Sequence, residues 1–313
     1  MTSTDLLPQR ERLAQSSEIS EARRRSASQW AVAWRRFKRN KSGLAGMFIV
    51  GFFAFIALTS PWIAPYPARS YAALYSGEAG SGPSWAHPFG VEPSGIDVFS
   101  EVLHGTRNDL YVGVGATLMT VLIGVAVGAL AGYFRGIAAD ILLGFTQVFL
   151  VIPALLLILL FARIFSVLVF AGMGLTLIVL ILGFFGWSTV ALLVRGEILR
   201  VKELEFIQAV RALGANTRRI MFRHIVPNVL SPVIVVATLN IAGYILTEVV
   251  ISFLGFGDPN TSTWGLLINE GFTYIRTEWW VSFFPGLAVV LCVLGFNLMG
   301  DGLSDALNPR LRE

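Results

Sequence analysis

The sequence predicts an all-α integral membrane protein with six transmembrane helices, and three observations carry that expectation. Hydrophobic residues make up 55% of the chain and charged residues only 14%, whereas a soluble chain carries about 25% charged residues. The mean hydropathy is +0.67. Several stretches are long and apolar enough to cross roughly 30 Å of hydrocarbon, which takes about 20 residues at about 1.5 Å each. No water reaches the backbone there, so helices are the expected solution.

The first span, 44–60, lies in an uncharged run between Lys41 and Arg69. The second, 110–134, is bounded by Asp109 and Arg135, and the third, 141–162, by Asp140 and Arg163. The uncharged run 164–194 holds a fourth span, about 168–190, with its loop. The fifth, 228–252, is interrupted only by Glu248, and the sixth, 281–300, sits between Glu278 and Asp301. Such all-round apolarity is not that of a soluble core helix.

Placing the N-terminus inside puts ten Lys and Arg before Leu44 in the cytoplasm, with Arg135, seven more from Arg195 to Arg223, and Arg310 and Arg312. Only Arg69, Arg107, Arg163 and Arg276 are left outside. That asymmetry predicts both termini in the cytoplasm. It also accounts for the net charge of +4 without a nucleic-acid partner.

The chain then divides into a polar and basic cytoplasmic segment, 1–43, and a first span with a long extracytoplasmic loop, 44–108. A five-helix core, 109–303, carries a cytoplasmic loop at 195–227, and a cytoplasmic tail covers 304–313. The first forty residues are rich in Ser, Glu and Arg and are expected to be mobile up to the basic run Trp34-Arg-Arg-Phe-Lys-Arg39. A signal peptide is disfavoured, because the first apolar run starts far from Met1 and is too long for an h-region. Trp34 and Trp62 flank that span as interface anchors. Cys292 is the one cysteine, so no intrachain disulfide forms, and a packing role is expected.

The outer loop 61–108 is rich in Pro, Gly and Tyr. The outer loop 255–280 holds Trp264, Trp279 and Trp280 and reads as a partly folded interfacial cap. Meeting a delivery protein and covering a pore mouth both fit this composition.

Chemistry within the chain is sparse, and no catalytic, cofactor or metal site is expected. No Gly-x-x-x-x-Gly-Lys-[Ser/Thr] loop is present, and none of Lys38, Lys41 and Lys202 follows a glycine, so ATP hydrolysis by that route is excluded. His87, His104 and His224 show no metal-ligand spacing. Gly124, Gly128 and Gly132 recur every fourth residue and form a helix-packing stripe. Glu248 is costly in an apolar span, which leaves two roles for it: structural hydrogen bonding or a place in a transport pathway. Asp140 and Asp301 fall near inner ends, where water or a helix cap accommodates them.

The most informative segment lies between the fourth and fifth spans. A short helix is expected over about 204–213, with Phe206, Ala209, Val210 and Leu213 on one face while Glu205 and Arg211 point elsewhere. Small Ala209 and Ala212 admit a neighbouring surface. Gly214 stops the helix in a left-handed conformation, and Pro227 suits the first turn of the next span. Arg218, Arg219 and Arg223 suit phospholipid or an acidic partner. A short amphipathic helix hung between two spans reads as a docking surface.

The pattern Gln208-Ala-Val-x-x-x-Gly214, with Pro227 thirteen residues beyond the glycine, resembles the Glu-Ala-Ala loop of permease subunits of ATP-binding-cassette (ABC) importers. With His224-Ile-Val-Pro-Asn228, it looks like the dipeptide, oligopeptide and nickel branch, in its second, C-type permease. His87-Pro-Phe-Gly90, Gly95-Ile-Asp97, Gly105-Thr-Arg107 and Gly132-Tyr-Phe134 resemble that branch in order. So do Ser252-Phe-Leu-Gly-Phe-Gly257, Trp264-Gly265 and the tail from Gly300 to Arg312. Gln208, Val210, His224, Ile96, Gly144 and Gln147 depart from its usual residues.

The resemblance implies a type I ABC importer permease fold in a bacterial inner membrane. It implies a homologous second permease, two ABC ATPase subunits that hold the ATP and Mg, and an extracytoplasmic substrate-binding protein. Glu205, Phe206, Gln208, Ala209, Val210, Arg211, Ala212, Leu213, Gly214, Arg218 and Pro227 would couple the chain to the ATPases. Peptides, nickel chelates, glutathione and short sugars are the substrate classes it admits, with di- or oligopeptides foremost. Two other readings are an ion-gradient-driven transporter using Glu248 and a structural membrane scaffold.

Overall fold

A computed structural model of the protein describes residues 29–70, 77–134, 136–164 and 173–307. The segment before Gln29, Arg135, the start of the fourth span, and the tail with Arg310 and Arg312 lie outside these residues. The helices are α1 (Gln29–Phe37), α2 (Lys41–Ile63), α3 (Val98–Tyr133), α4 (Ile137–Val151), α5 (Ala154–Ile164) and α6 (Gly174–Lys202). They continue as α7 (Glu205–Ala212), α8 (Thr217–Ile220), α9 (Val226–Phe253), α10 (Trp264–Phe272) and α11 (Trp280–Leu307). Among the described residues the only β-pairing is a bridge between Val91 and Asp97.

Helices α2, α3, α6, α9 and α11 are each long and apolar enough to cross a membrane. Where the sequence predicts a third span over 141–162, the chain forms the pair α4 and α5, together apolar enough to cross as one broken span and bent by 83° at a short break. Pro153 is the cause, because its ring drives the preceding residue out of the helical region. Ile152 accordingly sits at φ −82°, ψ 127°.

Two helices run past their apolar stretches. Helix α3 starts at Val98 rather than near 110, taking in the end of the expected outer loop. Asp97 caps it, accepting from the Ser100 N–H at 2.8 Å, and Glu101 and Asp109 are buried within it. Helix α6 continues to Lys202, beyond the expected loop start at Arg195. Val194, Ile198 and Val201 remain buried at helical spacing, so one apolar face persists beneath the new charges.

The bundle holds together through three apolar clusters. One joins α2, α3, α9, α10 and α11 around Phe53, Ile245, Trp264 and Cys292. A second joins α3, α5, α6 and α9 around Val112, Ile158, Leu182 and Ile251. The third gathers Val190, Val194, Ile198 and Val201 of α6 with Ile207, Ile220, Ile225, Val229 and Val233.

The seam between α3 and α6 is the glycine stripe. A Cβ at Gly124 would meet Val190 Cβ at 2.7 Å, one at Gly128 the Ala191 carbonyl at 2.5 Å, and one at Gly132 the Arg195 carbonyl at 3.1 Å. Removing three side chains brings the two backbones into contact and replaces lipid with dense protein–protein dispersion contacts.

Candidate functional site

Helix α7 begins after Leu204, which is extended and offers no side-chain cap. It ends as expected at Gly214, whose φ of +80° is a conformation open to glycine at little cost. The Gly214 N–H donates to the Arg211 carbonyl at 3.0 Å, and the Ala215 N–H to the Val210 carbonyl at 3.3 Å. These bonds occupy carbonyls that a helix end leaves open.

The single apolar face expected for this helix is divided in two. Ile207 is fully buried and Val210 partly so, both in the third cluster. Phe206, Ala209 and Leu213 point outward with Gln208, Arg211 and Ala212, and Leu213 is 87% exposed. One side of α7 is therefore anchored into α6, α8 and α9 while the other is an exposed surface of apolar and small residues. Gln208 Nε2 donates to the Lys202 carbonyl at 3.1 Å, which braces the helix against the end of α6. Glu205, Arg218, Arg219 and Arg223 ring this surface and are exposed.

Lys202 fixes the lead-in. Its buried ammonium donates to the Tyr133 carbonyl at 2.8 Å and lies 5.3 Å from the Tyr133 ring centre. The last residue of α3 is thereby tied to the residue that precedes the α7 turn.

Pro227 lies in the first turn of α9, as expected, but no loop precedes it. The chain is already helical from Thr217, and a π-turn at Met221–Ile225 precedes the proline. The Val226 N–H reaches back to the Met221 carbonyl. The widened turn makes room for a ring that would otherwise press on the carbonyl four residues before it.

The opposite end of the bundle is covered by a folded cap. Helix α10 starts at Trp264, whose backbone N–H donates to Asp109 Oδ2 at 3.0 Å and whose indole donates to the Val102 carbonyl at 3.1 Å. Gly105 lies under this indole, where a Cβ would stand 2.9 Å from Trp264 Cδ1. Arg69 grips Glu270 through two bonds of 2.7 and 2.9 Å, and its backbone N–H donates to Glu101. That grip holds Arg69 at φ +57°, unusual for a side chain of its size.

His87 is buried between Asp97, 2.7 Å from Nδ1, and Glu78, 3.2 Å from Nε2, and stacks on Tyr66. Burial lowers its affinity for a proton, but the two carboxylates outweigh that and raise its pKa above 6.5. Burial also raises the pKa of Glu92 and of Glu278.

Glu248 is fully buried five residues from the C-terminal end of α9. It accepts from Ser252 Oγ at 2.6 Å and meets the Asp109 carboxyl. Its neighbour Thr247 faces the other way, into a hollow of about 300 Å³ between α9, α6 and the bend of α4 and α5. Phe185, Gly186, Tyr244 and Leu246 also line it.

Residues 124–313, more than half the chain, match the family of binding-protein-dependent transport system inner membrane components. The chain belongs to this family. The permease also matches, over residues 28–76, the N-terminal transmembrane domain of oligopeptide transport permease C.

It is 37% identical to the dipeptide transport system permease protein DppC of Bacillus subtilis, over 94% of this chain and 90% of that one. Identity to the glutathione transport system permease protein GsiD of Pectobacterium atrosepticum is 38%, covering 90% and 92%. Identity to the oligopeptide transport system permease protein OppC of B. subtilis is 32%, covering 96% of each. A solved chain of the MetNI methionine ABC transporter, in an inward-facing conformation, matches with a TM-score of 0.55 at 18% identity, covering 66% of this chain and 96% of that one. The permease thus has the type I ABC importer fold and is a multi-pass protein of the bacterial inner membrane.

Two residues of consequence in the permease escape a reading of the sequence. Asp109 reads as the polar boundary of a span, yet it is buried and holds the cap. Lys202 reads as one more interior-side cation, yet it is 6% exposed. In both cases the local sequence gives the charge but not the partner, which lies 155 residues away for Asp109 and 69 for Lys202.

Proposed function

We propose that this permease is one of two membrane subunits of an ATP-driven importer of di- or oligopeptides, oriented with α7 and both termini in the cytoplasm. A homologous permease would complete the pathway, two ABC ATPase subunits would bind ATP and Mg, and an extracytoplasmic protein would deliver substrate to the α10 side. Neither ATP hydrolysis nor a cofactor site is assigned to this chain. The relatives' names supply the substrate class: dipeptide, oligopeptide and glutathione, the last itself a short peptide.

The observation that carries this reading is the division of α7. Its outward residues, Phe206, Gln208, Ala209, Arg211, Ala212, Leu213 and Gly214, would seat in an ATPase subunit, with Glu205 and Arg218 at the edge. Its inward residues, Ile207 and Val210, would pass the push to α6 and α9, whose turn before Pro227 is widened. ATPase closure that favours one opening of the paired bundles shifts the population towards it. The hollow beside Tyr244 and Thr247 is the proposed pathway wall. Glu248, packed on the other side of the same helix, is a structural residue in this scheme.

The test uses the copurified transporter in vesicles. Ala209→Arg and Gly214→Asp should assemble normally yet lose peptide uptake while ATP hydrolysis continues. Normal uptake in both would overturn the coupling assignment, and a binding subunit that carries no peptide would overturn the substrate class.

A further inference from the structure

Helix α1 and the turn after it carry a surface that the transport scheme does not use. Ala33 and Phe37 face the bundle, with the Phe37 ring against Gly43 and Gly302. On the opposite side Trp34, Arg35, Lys38 and Arg39 are exposed, with Trp34 and Lys38, and Arg35 and Arg39, each four residues apart. The Lys38 ammonium lies 5.2 Å over the Trp34 ring. Among the described residues none of Arg35, Lys38 and Arg39 has a carboxylate partner.

The position of this stripe is fixed by its anchorage. Asn40 Oδ1 accepts from the Gly43 N–H at 3.0 Å, and Asn40 Nδ2 donates to Asp305 at 2.9 Å. The turn between α1 and the first span is thereby bound to the end of α11. Phe48, within two turns of the start of that span, is 77% exposed. Only three residues separate Phe37 from Lys41, four Cα steps that reach about 14 Å at full extension. The cationic stripe therefore stays at the depth of the phospholipid headgroups.

We infer that Trp34, Arg35, Lys38 and Arg39 form a docking surface for anionic phospholipid headgroups, which fixes the depth of the bundle in the bilayer. The charges supply the attraction and the half-exposed indole supplies an amphipathic edge suited to the interface. An acidic protein is the poorer occupant, because the stripe adjoins the start of an apolar span that exposes Phe48.

The test titrates the purified, assembled transporter in detergent with phosphatidylglycerol or phosphatidylcholine and counts bound lipids by native mass spectrometry. The wild type should prefer phosphatidylglycerol, and that preference should weaken in raised salt. Arg35→Gln, Lys38→Gln and Arg39→Gln together should reduce phosphatidylglycerol affinity by about fivefold for each charge removed, with phosphatidylcholine unchanged. Arg35→Lys with Arg39→Lys should keep the preference, which separates charge from folding. Equal preference in the triple variant and the wild type overturns the inference. So does displacement of phosphatidylglycerol by soluble glycerol phosphate, which would mark a free-phosphate site. The readout needs no transport, so the peptide assignment can fail without affecting it.

Discussion

The backbone N–H of Trp264 donates to the carboxylate of Asp109 at 3.0 Å across 155 residues of sequence, in a site where neither residue is exposed. This bond joins the N-terminal part of α3 to the first turn of the cap helix α10. It also places Asp109 beside Glu248 of α9, so three elements converge on one buried pair of carboxyls. Asp109→Ala would leave the Trp264 amide buried without an acceptor, at a cost of about 1–3 kcal/mol. The expected outcome is a lower melting temperature for the assembled transporter and faster proteolysis across 255–280.

Glu248→Gln should behave differently. A glutamine keeps the size of the side chain, can still accept from Ser252 and can donate to Asp109. Peptide uptake within about twofold of wild type is expected, since a neutral amide makes bonds comparable to those lost. Abolished uptake in a normally folded variant would return Glu248 to the pathway.

His87 makes the loop between α2 and α3 sensitive to pH. Its pKa in the folded protein is raised above 6.5, so its bonds to Asp97 and Glu78 stabilise the loop fully below about 6.5, and that contribution fades as pH rises through the higher folded value. Hydrogen exchange across 84–97 should accelerate over that window in the wild type. His87→Gln should exchange faster at low pH and show no such step.

The α3–α6 seam predicts a contrast between glycines. Gly128→Val drives methyl groups into the Ala191 carbonyl and should destabilise the bundle by roughly 1–3 kcal/mol. Gly144→Ala, where nothing lies within 4 Å of the new Cβ, should be close to neutral. Thermal unfolding of both variants in the same detergent makes the comparison.

Lys202→Met removes the cation that ties α6 to the end of α3 while keeping the length of the side chain. Loss of a buried charge-assisted hydrogen bond costs about 1.5–3 kcal/mol. Uptake per ATP hydrolysed should fall, because the lead-in to α7 loses its brace. An unchanged ratio would show that Ile207 and the third cluster transmit the push alone.

The sequence alone determined the features that depend on neighbours along the chain. Apolar length fixed the membrane class, four-residue spacing marked Gly124, Gly128 and Gly132 as a packing stripe, and Gly214 ended α7, because spans, stripes and caps are each local in their physics. The tertiary structure decided what depends on distant partners. It extended α3 and α6 beyond their apolar runs, and turned Ile207 rather than Phe206 into the core. It also buried Asp109 and Lys202, charges that look solvated until packing supplies acceptors and donors from remote helices. A charged residue's cost depends on what surrounds it in space, and that is not written beside it in the chain.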